Sequence, residues 1–231
     1  MATEAVADAA GAVQAAVNSQ SFARMSLIIN SYTSDSLLTL FYRMIRVKAI
    51  VLHGSPRRGM NSDTLVDEFL RGLAETGAHV VQHFILNEMN IKPCQGCLHC
   101  ETSQSHQCSI EDDMTLIYNA YREADIVVWA SPMYWGYITA QMKTVQDRME
   151  ALAWEGFDGK VFVVLLTYRH HYESAANMFR RIAPYFHIDL HVVPCKTYDD
   201  VGKRDLPIRE CTEELRKAFE LGETMGKNVI D

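Results

Sequence analysis

The chain has 231 residues, of which 48% are hydrophobic and 22% charged, with a formal net charge of −7. This length supports one sizeable core, or one core with an appended segment. An acidic chain without a basic stripe does not suit the phosphate backbone of nucleic acid, and no apolar run approaches the roughly 18–20 residues that span a bilayer.

Residues 1–46 differ from the rest: Ala-rich from Ala2 to Val17, then polar residues mixed with short apolar runs such as Leu27-Ile28-Ile29. They are expected to be a poorly ordered appendage, as termini often are. Glu4 and Asp8 count against a transit peptide, and Met44 stands where an alternative start would lie. One domain is expected over residues 47–231.

From Val47 the pattern alternates. A short apolar strand over residues 47–53 runs into Gly54-Ser55-Pro56, and residues 64–75 repeat apolar side chains at helical spacing. Residues 80–86 read as a second strand. Asp112 and Asp113 stand where a helix N-terminus favours carboxylates, followed by Met114, Ile117, Tyr118 and Tyr121 at helical spacing. A third strand over residues 125–130, a helix over 141–152, a strand over 160–167, a helix over 173–185, a strand over 188–193 and an amphipathic helix over about 207–226 complete the pattern. In that last helix Leu215, Phe219 and Leu221 or Met225 are expected to face the core. Strands alternating with helices imply an α/β fold, a parallel sheet covered on both faces, with ligands outside the carboxyl ends of its strands.

Two loops lie at those ends. Gly54 to Thr64 joins the first strand to its helix. Its small residues allow close backbone approach to an anion, and the hydroxyls of Ser55, Ser62 and Thr64 together with the helix N-terminus suit a monophosphate. The spacing is neither that of the nucleotide P-loop nor that of the dinucleotide turn. After the third strand, Ser131-Pro132-Met133-Tyr134-Trp135-Gly136 offers a flat apolar surface and backbone polar groups, which suit a planar ligand. Asp147 and Arg148 in the following helix read as a solvated face or a subunit salt bridge, outside the site. Thr167 to Tyr172 borders the same region, and its paired His170 and His171 are expected to face solvent.

With these motifs the sequence resembles the NAD(P)H-dependent FMN reductase and iron–sulfur flavoprotein group of the flavodoxin-like superfamily. That group carries G-S-P-R followed by N-[ST] ahead of the first helix, and S-P-x-Y-x-G after the third strand. The resemblance implies a flavodoxin-like three-layer sandwich, with a five-stranded parallel sheet in the order 2-1-3-4-5 and helices on both faces. It implies that Ser55, Arg57, Asn61, Ser62 and Thr64 hold the phosphate and ribityl end of FMN. Pro132, Met133, Tyr134, Trp135 and Gly136 would then border its ring.

Four of the six cysteines, Cys94, Cys97, Cys100 and Cys108, form C-x2-C-x2-C-x7-C. No secretory signal precedes them, so reduced thiols or bound metal are favoured over disulfides, and the chain is expected in the cytoplasm. The spacing suits a 4Fe–4S cluster. Many FMN reductases of the group carry a similar P-C-x-G-C-x-x-C stretch ending in D-D-M without a cluster, so a metal-free loop, redox-active thiols or zinc are alternatives. Cys195 and Cys211 read as buried small apolar residues.

The expected function is an FMN-dependent NAD(P)H oxidoreductase, FMN/quinone reductase-like, with a small-molecule or redox-protein acceptor. No catalytic side chain is required, because the cofactor carries the chemistry. The alternative is an iron–sulfur flavoprotein relaying electrons from ferredoxin through 4Fe–4S and FMN. The resemblance also suggests a homodimer or homotetramer.

Overall fold

The computed structural model describes residues 45–228. The expected poorly ordered appendage therefore lies, through residue 44, outside the described residues, while Ile45 and Arg46 already belong to the first strand. The strands are β1 (Ile45–His53), β2 (Ala78–Ile85), β3 (Ile126–Tyr134), β4 (Val161–Tyr168) and β5 (Asp189–Lys196). All pair in parallel, in the order β2-β1-β3-β4-β5, which is the flavodoxin-like order implied by the resemblance.

The central strands carry continuous apolar runs, Ala49 to Leu52 in β1, Ile126 to Ala130 in β3 and Val161 to Leu166 in β4, because both of their faces are buried there. Val47, Ala49 and Val51 of β1 face one core, shared with Val128 and Val163; Ile50 and Leu52 face the other, shared with Val127, Trp129 and Phe162. The helices are α1 (Asn61–Ala74), α2 (Met114–Glu123), α3 (Ala140–Arg148), α4 (Glu173–Tyr185) and α5 (Thr212–Asn228). Helices α1 and α5 cover the first core, while α2, α3 and α4 cover the second. Among the described residues no helix is long and apolar enough to cross a membrane.

Several elements depart from the expected bounds: α1 starts three residues early, at Asn61, and β5 runs three residues past Val193, to Lys196. The helix over 141–152 is broken: α3 ends at Arg148 and a separate turn follows at Glu150–Ala153. The last helix starts at Thr212, preceded by a 3₁₀ turn at Ile208–Glu210. Strand β3 continues four residues past Ala130, where Ser131 and Pro132 had read as a loop. Ser131 and Pro132 register with Leu166 and Thr167 of β4, and Met133 and Tyr134 then pair antiparallel with Ile138 and Tyr137. The connecting Trp135 and Gly136 have φ of +50° and +80°, the signs that a two-residue type I′ hairpin turn requires.

Candidate functional site

Strand order reverses between β2-β1 and β3-β4-β5, so the connections leaving β1 and β3 diverge and open a crevice at their carboxyl ends. The two are tied together at its base. Gly54 N donates to Ala130 O (2.8 Å), Thr139 Oγ1 donates to Gly54 O (2.7 Å), and Thr139 N donates to Ser131 Oγ (3.1 Å). A Cβ on Gly54 would lie 3.0 Å from both Met142 Cε and Thr139 Oγ1, so this close approach favours glycine.

A cleft of about 440 Å³ opens there, lined by Ser55, Arg57, Met60, Asn61 and Ser62 on one side, Pro132, Met133, Tyr134 and Trp135 on another, and Thr167, Arg169 and Thr197 on a third. Its size falls within the range of small-molecule sites. On the first side, α1 begins without a side-chain cap, after an extended Met60. Its first amides are thus not occupied by a capping side chain, and a helix N-terminus of this kind attracts an anion. Ser55 Oγ is held inside the loop, accepting from Arg57 N (3.2 Å), and Ser62 Oγ lies 2.9 Å from Thr167 Oγ1. On the second side the type I′ hairpin presents Trp135 fully to solvent, and Ser174 Oγ anchors it by donating to Gly136 O.

Two of the residues that the resemblance implicates stand back from this lining. Thr64 donates its hydroxyl to Met60 O (3.3 Å) within the helix, and Gly136 offers its carbonyl to Ser174. Thr167 and Arg169 come from the segment expected to border this region, while Met60, inside the anion loop, and Thr197 join the lining without having been singled out. Thr167 was readable as the end of a strand next to the site; Thr197 follows β5, and no local motif marks it. Arg169 pairs with Asp205 (2.6 Å), one residue of a hairpin formed by Tyr198–Asp199 and Arg204–Asp205. His170 and His171 are exposed, as expected.

The cysteine loop packs beside α3. Cys94 and Cys97 are exposed, Cys100 and Cys108 half-buried. Cys97 Sγ lies 3.5 Å from Ser109 Oγ, and that hydroxyl with the His99 amide lowers its pKa from the ordinary thiol value. The four thiols do not converge: among the described residues no three Cys, His, Asp or Glu side chains are grouped as a metal site requires. As placed, the loop does not fit a 4Fe–4S cluster, which needs four thiolates around one centre.

What holds this loop is Arg148, and here the expected solvated face is corrected. The side chains of Arg148 and Asp112 are both fully buried and face each other in a two-pronged pair: Nη1 to Oδ2 at 2.8 Å and Nη2 to Oδ1 at 3.2 Å. Arg148 also donates to Lys92 O (2.8 Å) and Ile110 O (3.3 Å), so one guanidinium grips both ends of the loop. Burial pushes the Asp112 carboxyl up, but Arg148 and the amides of Lys92 and Met114 outweigh it and hold the carboxyl below its usual value. The adjacent Asp147 does face solvent, where it pairs with Lys143.

A family model described as NADPH-dependent FMN reductase matches residues 47–199. Iron–sulfur flavoproteins of Methanocaldococcus jannaschii and Methanosarcina thermophila are 36% and 35% identical to the chain over 106 and 111 residues. These alignments cover 46% and 48% of the chain and 53% and 56% of the relatives, so the chain spans about half the length of the curated relatives it matches. Among solved structures, an azoreductase of Bacillus anthracis shares the fold with a TM-score of 0.62 at 15% identity, covering 77% of this chain and 99% of that one.

Proposed function

The chain belongs to the NADPH-dependent FMN reductase family, and on that premise we propose that it is an FMN-dependent NAD(P)H oxidoreductase, taking hydride from a reduced nicotinamide and passing electrons to a small-molecule or redox-protein acceptor. The observation that carries this is the meeting, in one cleft, of an uncapped helix N-terminus set among hydroxyls with a hairpin of apolar and aromatic residues. These are the two surfaces that a phosphorylated flavin needs.

In this reading Ser55, Arg57, Asn61 and Ser62 hold the phosphate and ribityl end, while Pro132, Met133, Tyr134 and Trp135 border the ring. Thr167 orients Ser62 through their hydroxyl pair. Arg57 places positive charge at the cleft of an acidic chain, which favours an anionic ligand, while the charge of Arg169 is offset by Asp205. When bound, FMN supplies a ring that accepts hydride and yields electrons onward, so the protein binds, orients and shields it and no side chain need transfer a proton. A cytoplasmic homodimer or homotetramer completes the reading.

The names of the aligned relatives favour a second reading, an electron carrier in which the four cysteines hold a 4Fe–4S cluster. The loop would have to rearrange to draw its thiols together. Purification without oxygen, followed by an absorption spectrum, iron and sulfide assays and NADPH oxidation, separates the two. Flavin without iron, reduced by NADPH, supports the reductase. About four irons per chain, as a cubane needs, support the carrier.

Binding through the helix N-terminus is tested by replacing Ser55 and Ser62 together with alanine. Hydrogen bonds to a charged phosphate contribute about 1.5–3 kcal/mol each, so FMN affinity should fall by at least about tenfold. An unchanged dissociation constant in a fluorescence titration would remove these hydroxyls from the site.

A further inference from the structure

Three polar side chains that do not line the cleft lie beneath its anion loop. Asp63, in the first turn of α1, is buried with a carboxylate that receives three donors. Oδ1 accepts from His53 Nδ1 (3.0 Å) and Arg58 Nη1 (2.8 Å), and Oδ2 accepts from Gly59 N (2.6 Å). His53, the last residue of β1, is itself buried, and its Nε2 lies 2.9 Å from Nδ1 of His83 on β2. A carboxylate only accepts, so neutral His53 carries its proton on Nδ1, and its Nε2 accepts from His83 Nδ1. The chain of donors thus runs from the edge strand to the loop, and the half-buried His83 keeps a free lone pair on Nε2.

We propose that Asp63, supported through His53 and His83, is the positioning residue that sets the shape of the anion loop, fixing Arg58 and Gly59 so that the segment from Ser55 to Ser62 closes on the phosphate of FMN. The proposal rests on the flavin reading above. One carboxylate joins two loop residues to the helix and, through His53, to the sheet. Gly59 lies in the left-handed region, φ +67°, and residues 57–60 are exposed, so the loop packs little of itself against the core. A buried carboxylate beside a phosphate site is tolerated because Arg58, the Gly59 amide and the helix dipole offset its charge.

The same arrangement makes the loop sensitive to acid. The charged and titratable groups around the pair are Arg58 from the loop, Asp63 and Asp67 from α1, His53 from β1 and His83 from β2. A proton on the histidine pair would place a second cation at Asp63 Oδ1, where Arg58 already binds. Burial first, then Arg58, oppose that proton and push His53 down to about 4; the same two causes lower His83. The sign follows: the network is complete above the ordinary histidine range and is lost as pH falls towards 4.

The test uses the full chain as wild type, Asp63→Asn and His53→Asn. Asparagine at position 53 keeps a donor where His Nδ1 stands but does not titrate. FMN affinity is measured by fluorescence titration from pH 8 to 4.5, and amide exchange of residues 54–60 is followed without flavin. We expect Asp63→Asn to bind FMN at least about tenfold more weakly at pH 7, since charge-assisted hydrogen bonds are lost, and to exchange its loop amides faster. His53→Asn keeps the donor to Asp63 but loses the link to His83, so it is expected to bind a few-fold more weakly at pH 7 and to lose much less of its affinity in acid. Loop exchange in Asp63→Asn that matches wild type overturns the positioning role. An acid profile of His53→Asn that superimposes on wild type overturns the relay. If wild type itself takes up no FMN, the flavin reading falls, while the exchange comparison still decides whether Asp63 shapes the loop.

Discussion

Replacing Arg148 by alanine is expected to lower the free energy of unfolding by about 3–5 kcal/mol, the usual cost of removing one partner from a buried ion pair. The size follows from what remains. Asp112 would keep only the amides of Lys92 (2.8 Å) and Met114 (3.0 Å), with its charge still buried. The carbonyls of Lys92 and Ile110 would lose their donor together. Arg148→Lys should recover only part of the loss, because a point cation does not reproduce a planar fork meeting a carboxylate and two carbonyls. Urea denaturation measures the effect, and thiol labelling adds a local readout: Cys100 and Cys108, packed against the core, should react faster in Arg148→Ala. A loss under about 1 kcal/mol, the range of an exposed pair, would return Arg148 to the solvated face. Because the Asp112 carboxyl is held below its ordinary value, the pair's contribution is complete above the unfolded carboxyl pKa. It should be level from pH 5 to 8 and be lost only as pH falls through the depressed value.

Arg148 also marks where the sequence stops being legible. Five strands and the helices between them could be read because each buries apolar side chains at its own period, and α4 falls on the expected residues 173–185. The two loops could be read because a phosphate and a flat ring each demand residue types that stand together in the chain. The role of Arg148 depends on residues 36 and 56 positions away, and a neighbouring Asp147 that does face solvent made the pair look ordinary. Asp63, His53 and His83 form a network across separations of 10 and 30 residues. The available signal was a histidine ending an otherwise apolar strand, which has to find a partner once buried. The extension of β3 was hidden because Ser-Pro reads as a turn, although proline is tolerated near a strand end where its missing donor is not needed.

Glycine carries a similar long-range message in the other core, and it supports the second large prediction. Gly222 of α5 faces Gly72 and Phe69 of α1 so closely that a Cβ on Gly222 would stand 2.0 Å from Phe69 O, and one on Gly72 would stand 1.9 Å from Phe219 O. In an open helix, Gly→Ala stabilises by roughly 0.5–1 kcal/mol through lower backbone entropy. Here the obstacle is backbone on the facing helix, so the two helices must separate, and overpacking of this kind costs about 1–3 kcal/mol or more. Gly222→Ala should therefore destabilise, the opposite sign to propensity, and Gly72→Ala likewise. The separation that admits one methyl makes room for the other, so the double variant should cost less than the sum of the two single ones. Chemical denaturation of the four proteins measures this cycle. Additive losses would mean that each methyl is absorbed by its own local shift, and a stabilised Gly222→Ala would mean that α1 and α5 do not cross at these glycines.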